Sequence, residues 1–375
     1  MEFSFTEEQK LIKNAARDFL EKECPSDLVR AMEEDERGYP PELWHKMAEL
    51  GWLGLIFPGE YGGSGGGFLD FVVLLEEMGR YLAPVPFLET VILGGLSILT
   101  AGTEKQKQEL LPKIAEGDLI LSGTMTASEL IGGATADLRS IREGGDFLIS
   151  GKKLFVSYAH VADYLVCAAQ SGQDRESERV TLFLIENRNA GISCTVLKTV
   201  SCEKHCEVVF DRVRVTKDSM MGEYNKGWQI LRKVLQQGEI AKCALMVGGA
   251  EKVLEMTVNH AKKRVQFGRP IGSFQAIQHR CANMKVDLDG ARFATYEAAW
   301  KMSQGLPCTL EVSVAKVWVN QAFDRICANG HQIQGGSGVM KDYDMELYSR
   351  RAKAAEFFFG DTNFHREIVT KELGL

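Results

Sequence analysis

Apolar residues recur along the first hundred or so positions with the spacing of helices. Thr6, with Gln9 three positions later, forms a capping box ahead of Leu11, Ile12, Ala15, Ala16, Phe19 and Leu20, whose spacing marks one buried helix face. Pro40 and Pro41 open a second amphipathic segment through Leu43, Met47 and Leu50, ended at Gly51. A glycine-rich loop, Phe57-Pro58-Gly59-Glu60-Tyr61-Gly62-Gly63-Ser64-Gly65-Gly66-Gly67, follows, and helical spacing resumes from Asp70 to Gly79 and again beyond Pro86. Between about Leu119 and Val215 the period falls to two. Phe147-Leu148-Ile149-Ser150-Gly151, Val180-Thr181-Leu182-Phe183-Leu184-Ile185 and Glu207 to Val215 read as strands. From Trp228 long amphipathic stretches return, broken at Gly268 to Gly272, Gly305 to Pro307 and Gly335 to Gly338. The pattern predicts an α+β chain in three parts. A helical N-terminal domain covers 1–118, a central β-barrel or sandwich domain 119–222, and a C-terminal bundle of four helices 223–375.

Composition narrows the class. With 375 residues, 45% hydrophobic and 25% charged, the chain can bury a large core without disulfide staples. Lys and Arg number 44 against 51 Asp and Glu, for a net charge of −7, and no basic tract tracks a phosphate backbone, so nucleic acid is excluded as a partner. The longest apolar stretch, Leu82 to Ala101, is broken by Pro84, Pro86 and Glu89 and runs into Glu104-Lys105-Gln106-Lys107, so no membrane span is expected. Met1-Glu2-Phe3-Ser4-Phe5 has neither a basic nor an apolar leader region, and a cytoplasmic protein is expected. Nine cysteines, an odd number spread through a large chain, point to reduced thiols. Only Cys202-Glu203-Lys204-His205-Cys206 has the look of a metal cluster, and it lacks a second ligand pair at suitable spacing, so no metal is expected.

Several nucleotide and hydrolase signatures fail on context. Gly62-Gly63-Ser64-Gly65-Gly66 satisfies G-x-S-x-G, but no helix starts directly after it and no βαβ alternation surrounds it. No G-x-G-x-x-G follows a strand and no G-x-x-x-x-G-K-[ST] exists.

What remains is a set of segments weak singly and specific together: Pro58-Gly59-Glu60-Tyr61-Gly62-Gly63, Glu76-Glu77-Met78-Gly79-Arg80, Gly102-Thr103-Glu104-Lys105-Gln106-Lys107, Arg264-Val265-Gln266-Phe267-Gly268-Arg269-Pro270-Ile271 and Gln332-Ile333-Gln334-Gly335-Gly336-Ser337-Gly338. In this order, within a helical–β–helical chain, they resemble the acyl-CoA dehydrogenase family over essentially the whole length. The resemblance implies FAD bound across a subunit interface, usually in a homotetramer, with the flavin ring between the β domain and the C-terminal bundle. It implies that Met125 and Thr126, with Phe155, Val156 and Ser157, line that ring. Ser157 stands where the family usually has a threonine facing flavin N5, and Phe155 where it has a tryptophan. Both keep the needed chemistry, a hydroxyl and an aromatic plane. Arg264 and Phe267, and Gln332, Gly335 and Gly336 from a neighbouring subunit, match positions that hold the adenosine pyrophosphate. An arginine fork and close-approaching glycine backbone suit a diphosphate.

The sequence departs from the family where the chemistry is done. Ordinary members remove the α-proton of a saturated acyl-CoA with a glutamate near the C-terminus while a β-hydride passes to flavin N5. Counting forward from Gln332, that position is Phe359, next to Gly360. The Phe359 backbone N–H can still serve the thioester carbonyl. Some members carry the base on the first helix of the bundle, and there the position is Gly238, beside Glu239. Glu239 either faces the cleft or is a helix-start carboxylate stabilised by the dipole. A third carboxylate, Glu89, sits in the apolar run Pro86-Phe87-Leu88-Glu89-Thr90-Val91-Ile92-Leu93, in a segment that forms the floor of the family's acyl pocket. A carboxylate in apolar surroundings holds its proton more tightly and is suited to work as a base. Glu89 present with Phe359 aromatic is similar to the minority of the family acting on cyclic enoyl-CoA thioesters, in which a pocket-floor carboxylate takes a remote proton. The other reading of Glu89 is a cavity cap or a partner for a backbone group.

Two function classes follow. The first is an FAD-dependent acyl-CoA dehydrogenase for a short, cyclic or α,β-unsaturated acyl-CoA, with Glu89 as base and Glu239 in reserve, passing electrons to an electron-transfer flavoprotein or similar acceptor. The second is a base-less partner subunit of a heteromeric dehydrogenase, in keeping with Phe359 and with Glu129-Leu130-Ile131-Gly132-Gly133 in place of the family's Gly-Ser-Asp turn.

Overall fold

The computed structural model describes residues 5–125, 138–171 and 179–375. Most helices fall where the apolar spacing places them. Helix α1 (Glu7–Glu23) starts at Thr6, whose hydroxyl accepts from the Gln9 N–H at 3.2 Å while the Gln9 amide oxygen accepts from the Thr6 N–H at 3.1 Å. Its buried stripe is narrower than expected, because Ala16 and Leu20 are fully buried while Leu11 is 68% exposed. The spacing gave no sign of α2 (Ser26–Glu34), which buries only Val29. Helix α3 (Pro41–Glu49) opens with proline in its first turn and stops before Gly51. There φ is +75°, a left-handed conformation natural to glycine. After α4 (Phe68–Arg80) come a π-helical segment (Leu88–Leu96), α5 (Ser97–Ala101) and α6 (Glu104–Ala115). A second capping box, Thr103 with Gln106, opens α6.

The strands are β1 (Leu121–Gly123), β2 (Leu138–Glu143), β3 (Asp146–Ser157), β4 (Tyr164–Ser171), β5 (Val180–Glu186), β6 (Ile192–Leu197), β7 (His205–Val215) and β8 (Met220–Met221). They form one sheet in the order β6-β7-β3-β2-β4-β5-β8, with β1 added beside β4 in parallel. Among the described residues this sheet is open at β6 and β8, so the barrel alternative is corrected to an open, mostly antiparallel sheet. The helices α7 (Trp228–Lys263), α8 (Gln275–Ser303), α9 (Thr309–Gln334), α10 (Asp344–Phe357) and α11 (Thr362–Glu372) follow, five where four were expected. The order is therefore helical, sheet, helical. No helix among the described residues is long and apolar enough to cross a membrane.

Compactness divides the chain differently from its order. One unit contains 1–30, 68–83 and 239–375; the other contains 31–67 and 84–238. In the first, α1 packs on α4, α4 on α8, and α8, α10 and α11 all pack on α9. Buried charges are matched in pairs there. Glu76 accepts from Lys13 at 3.1 Å, Arg292 at 2.9 Å and the Tyr296 hydroxyl at 2.9 Å, and Glu77 accepts from Arg17 at 2.8 Å. Glu76, Glu77 and Glu251 bring carboxylate oxygens close together, but Lys13, Arg17, Arg80 and Arg292 supply the counter-charge. In the second unit the π-helical segment packs on β1, β4 and α6. The indole of Trp44, from α3, donates to the Gly117 carbonyl at 3.0 Å.

Candidate active site

All nine residues of Leu88–Leu96 are buried, Glu89 at 8% exposure. An apolar run with glycines at 94 and 95 lets this segment lie directly on β1, where a β-carbon on Gly94 would stand 2.6 Å from that of Leu121. Two hydrogen bonds pin it: the Thr90 hydroxyl donates to the Leu121 carbonyl and accepts from the Leu121 N–H, each at 3.2 Å. One residue on, the Ser122 hydroxyl donates to the Ser157 carbonyl at 2.6 Å. A short covalent and hydrogen-bonded path thus runs from Glu89 through β1 to Ser157, while β1 itself leads to Met125, which is buried. Thr126, and the segment Glu129 to Gly133, lie outside the described residues.

Strand β3 carries a bulge. Its pairing with β7 shifts between Lys153 and Val156, and Phe155 takes φ +59° there with 60% of its surface exposed. Past the bulge Ser157 pairs directly with His205, and the Ser157 hydroxyl lies 3.1 Å from His205 Nδ1. The Cys202–Cys206 residues are therefore dispersed in use: Cys202 is exposed, His205 meets Ser157, and Cys206 faces His160.

The other unit holds the remaining positions. Val265–Gln266 and Arg269–Pro270 pair as a two-residue hairpin whose tip residues, Phe267 and Gly268, have φ +54° and +77°. Phe267 is 92% exposed, and the exposed Arg264 makes no ion pair among the described residues. Gln332, Gly335 and Gly336 are exposed at the end of α9, with open space where β-carbons on both glycines would be.

Phe359 and Gly360, between α10 and α11, have φ +62° and +98°. A β-carbon on Gly360 would stand 2.1 Å from the Phe364 ring, so glycine is needed for space as well as conformation. Beneath this turn is a buried polar platform. His365 Nε2 donates to the Phe359 carbonyl at 2.9 Å, and its Nδ1 faces the Ser313 hydroxyl at 3.3 Å. Burial, with the nearby Lys316 charge, lowers the His365 pKa to about 4, so the ring is neutral. The Lys316 ammonium donates to Asn320 Oδ1 at 3.0 Å and to the carbonyls of Ala355 and Glu356 at 3.3 Å each, and burial lowers its pKa to about 8. The Phe359 N–H has no acceptor among the described residues. Phe358 meets the Phe359 ring edge-on at 4.7 Å, whereas Phe357 is 68% exposed.

Glu239 is buried at 3% exposure, about three turns into α7, so the helix-start alternative is excluded. Its charge acts on Lys316 and on the Cys243 thiol, which burial pushes up to about 12. Sequence reasoning missed Lys316, Asn320 and His365, and weighed His205 only as part of a metal cluster. A lysine and an asparagine four apart in the apolar stretch of α9 were the visible signal for the first two.

Models of the acyl-CoA dehydrogenase N-terminal, middle and C-terminal domains match residues 6–118, 124–213 and 225–374. The chain belongs to the acyl-CoA dehydrogenase family. It is 32% identical to the probable acyl-CoA dehydrogenase YngJ of Bacillus subtilis, with 100% of each chain covered. It is 31% identical to a 3-(aryl)acrylate reductase of Clostridium sporogenes, over 98% of this chain and 99% of that protein. The butyryl-CoA dehydrogenase structure from Megasphaera elsdenii superimposes with a TM-score of 0.91 at 28% identity, over 100% of both chains. As a family member the chain is a flavin-dependent oxidoreductase acting on CH–CH bonds. Glu89, Met125, Phe155 and Ser157 belong to one compact unit, and Glu239, Arg264, Phe267, Gln332, Gly335, Gly336, Phe359 and Gly360 to the other.

Proposed function

We propose that this acyl-CoA dehydrogenase binds FAD and oxidises a short, cyclic or α,β-unsaturated acyl-CoA, with Glu89 as its base. The observation carrying this reading is a buried carboxylate on a π-helical segment, tied through β1 to Ser157, in a chain whose C-terminal base position is Phe359. π-Helical turns concentrate at functional sites. The relative that reduces 3-(aryl)acrylate acts, by its name, on a compound with a carbon–carbon double bond conjugated to its acid group.

The donor set fits FAD. Phe155 offers an exposed aromatic plane and Ser157 a hydroxyl. Arg264 offers a cation and Gly335 and Gly336 an open backbone, which suit a diphosphate. When bound, FAD supplies the hydride acceptor. The protein's own contribution is proton transfer and polarisation. The Phe359 N–H, in a left-handed turn anchored through His365, bonds the thioester carbonyl and acidifies carbons conjugated to it. In a conjugated enoyl thioester that acidity reaches the γ-carbon. Glu89 takes the γ-proton, the double bond migrates, and a hydride departs from the far end of the four-carbon unit, leaving a conjugated diene. The three segments 1–118, 119–222 and 223–375 serve as N-terminal, flavin-facing and bundle parts of a homotetramer or a heteromer with a related chain. Electrons leave to an electron-transfer flavoprotein or a similar acceptor. Glu239, facing Lys316 and Cys243 electrostatically, is the reserve base at most.

A second reading, a base-less partner subunit, is favoured by Phe359 and Gly238 together, since neither usual base position carries a carboxylate. Anaerobic flavin bleaching separates the two. The purified chain should take up FAD and be bleached by a cyclohexenoyl-CoA or a 2-enoyl-CoA, and Glu89→Gln should not be. An FAD-loaded chain that no thioester bleaches would establish the partner role instead.

A further inference from the structure

Ser157 and His205 are opposite each other on β3 and β7, where directly paired residues project from the same face of a sheet. His205 Nδ1 has two oxygen neighbours, the Ser157 hydroxyl at 3.1 Å and the Phe155 carbonyl at 3.3 Å. A carbonyl oxygen only accepts, so Nδ1 must carry a hydrogen to bond it. That same N–H is then shared with the Ser157 oxygen, which accepts. With one lone pair so engaged and its own carbonyl held by Ser122, Ser157 has a hydroxyl hydrogen with no protein acceptor among the described residues. The reverse tautomer would accept that hydrogen on Nδ1 and leave the Phe155 carbonyl facing a lone pair. The carbonyl at the bulge thus favours the proton on His205 Nδ1, and with it there the hydroxyl donates away from His205.

We propose that His205 is a positioning residue that turns Ser157 into an obligate donor toward a bound flavin. The bulge gives this arrangement its parts: it lifts Phe155 outward as an aromatic plane while aiming the Phe155 carbonyl back at His205. Without the imidazole the Ser157 oxygen loses the N–H it accepts from, and nothing fixes which way the hydroxyl donates. The inference rests on Ser157 being a flavin contact, and its test separates the two.

The tautomer is read first, on FAD-free protein, from the nitrogen NMR signals of histidine-labelled chain, with the His205 signal identified by its loss in His205→Phe. A protonated Nδ1 is expected; a ring protonated only at Nε2 overturns the inference whether or not FAD binds. FAD dissociation constants are then measured for Ser157→Ala, His205→Phe and the double variant. Each single change should weaken binding roughly tenfold, the worth of one hydrogen bond, and the pair should weaken it no further. His205→Asn, whose amide nitrogen stands where Nδ1 stands, should recover most of the loss. Additive losses near a hundredfold, or no recovery with asparagine, would show that His205 serves the sheet alone. A wild-type chain that takes up no FAD overturns the flavin reading, and the tautomer result then decides the role of His205 by itself.

Discussion

A β-carbon placed on Gly79 would stand 1.9 Å from the carbonyl oxygen of Leu245. One on Gly248 would stand 1.8 Å from the carbonyl oxygen of Glu76, so α4 and α7 meet backbone to backbone. The glycine of the Glu76–Arg80 motif is there for approach distance, and the carboxylates beside it for the ion pairs of that crossing. Gly79→Ala should cost about 3 kcal/mol, the upper part of the overpacking range, because neither main chain can yield. Urea unfolding of Gly79→Ala against Gly59→Ala, which has open space around its β-carbon, measures this; equal midpoints would refute it.

Thr90→Val keeps the shape but removes the hydroxyl that serves both main-chain groups of Leu121. Leu121 is fully buried, so its N–H and C=O lose a partner and unfolding free energy should fall by about 1–3 kcal/mol. A drop under a few tenths of a kcal/mol in the same assay would mean that β1 does not depend on this anchor.

Glu89→Gln should leave the fold and FAD uptake unchanged while slowing flavin bleaching by an enoyl-CoA about 10²- to 10⁴-fold, the range for losing a general base. Stopped-flow absorbance reads the rate, and a wild-type rate would move the base elsewhere.

Phe359→Glu places a carboxylate where the proposed function has the usual base missing. Saturated short acyl-CoAs, which should not bleach the wild-type flavin, should then bleach the variant. Bleaching of the wild type by butyryl-CoA would contradict the account of why Phe359 is tolerated.

His365 gives stability a pH signature. Its folded pKa, about 4, lies below the ordinary 6.5, so the unfolded chain binds the extra proton between these values. Stability is therefore full above pH 6.5 and is lost as pH falls toward 4, by up to about 3 kcal/mol from this residue. His365→Gln should flatten that limb of the urea-midpoint profile. An unchanged slope between pH 6.5 and 4 would rule out the neutral buried ring.

Much of the fold could be read from local chemistry. The Thr6 cap, the proline start of α3 and the glycine breaks after Lys263, Ser303 and Gln334 are short-range signals, and each marks an element end in the structure. Strand β4 could not be read this way, because seven of its eight residues are buried and nothing alternates. The site divides similarly. Phe359 and Gly238 are proposed by counting along the chain from Gln332 and Arg264, which needs only one dimension. The His205–Ser157 pair depends on a register set beyond a bulge, and the Lys316–His365 platform on how three helices meet, neither of which spacing reports.

The π-helical Leu88–Leu96 segment also governs how the surroundings of Glu89 can be redesigned. Its hydrogen bonds step five residues instead of four, so side chains return to the same direction every four to five positions. A saturation library laid out on an ordinary helical wheel would pair Glu89 with the wrong neighbours, and a single-residue deletion here would restore α-helical winding while rotating every later side chain to a new bearing. If Glu89 is the base proposed above, its bearing is thus as accessible through indels at this one turn as through substitutions around it.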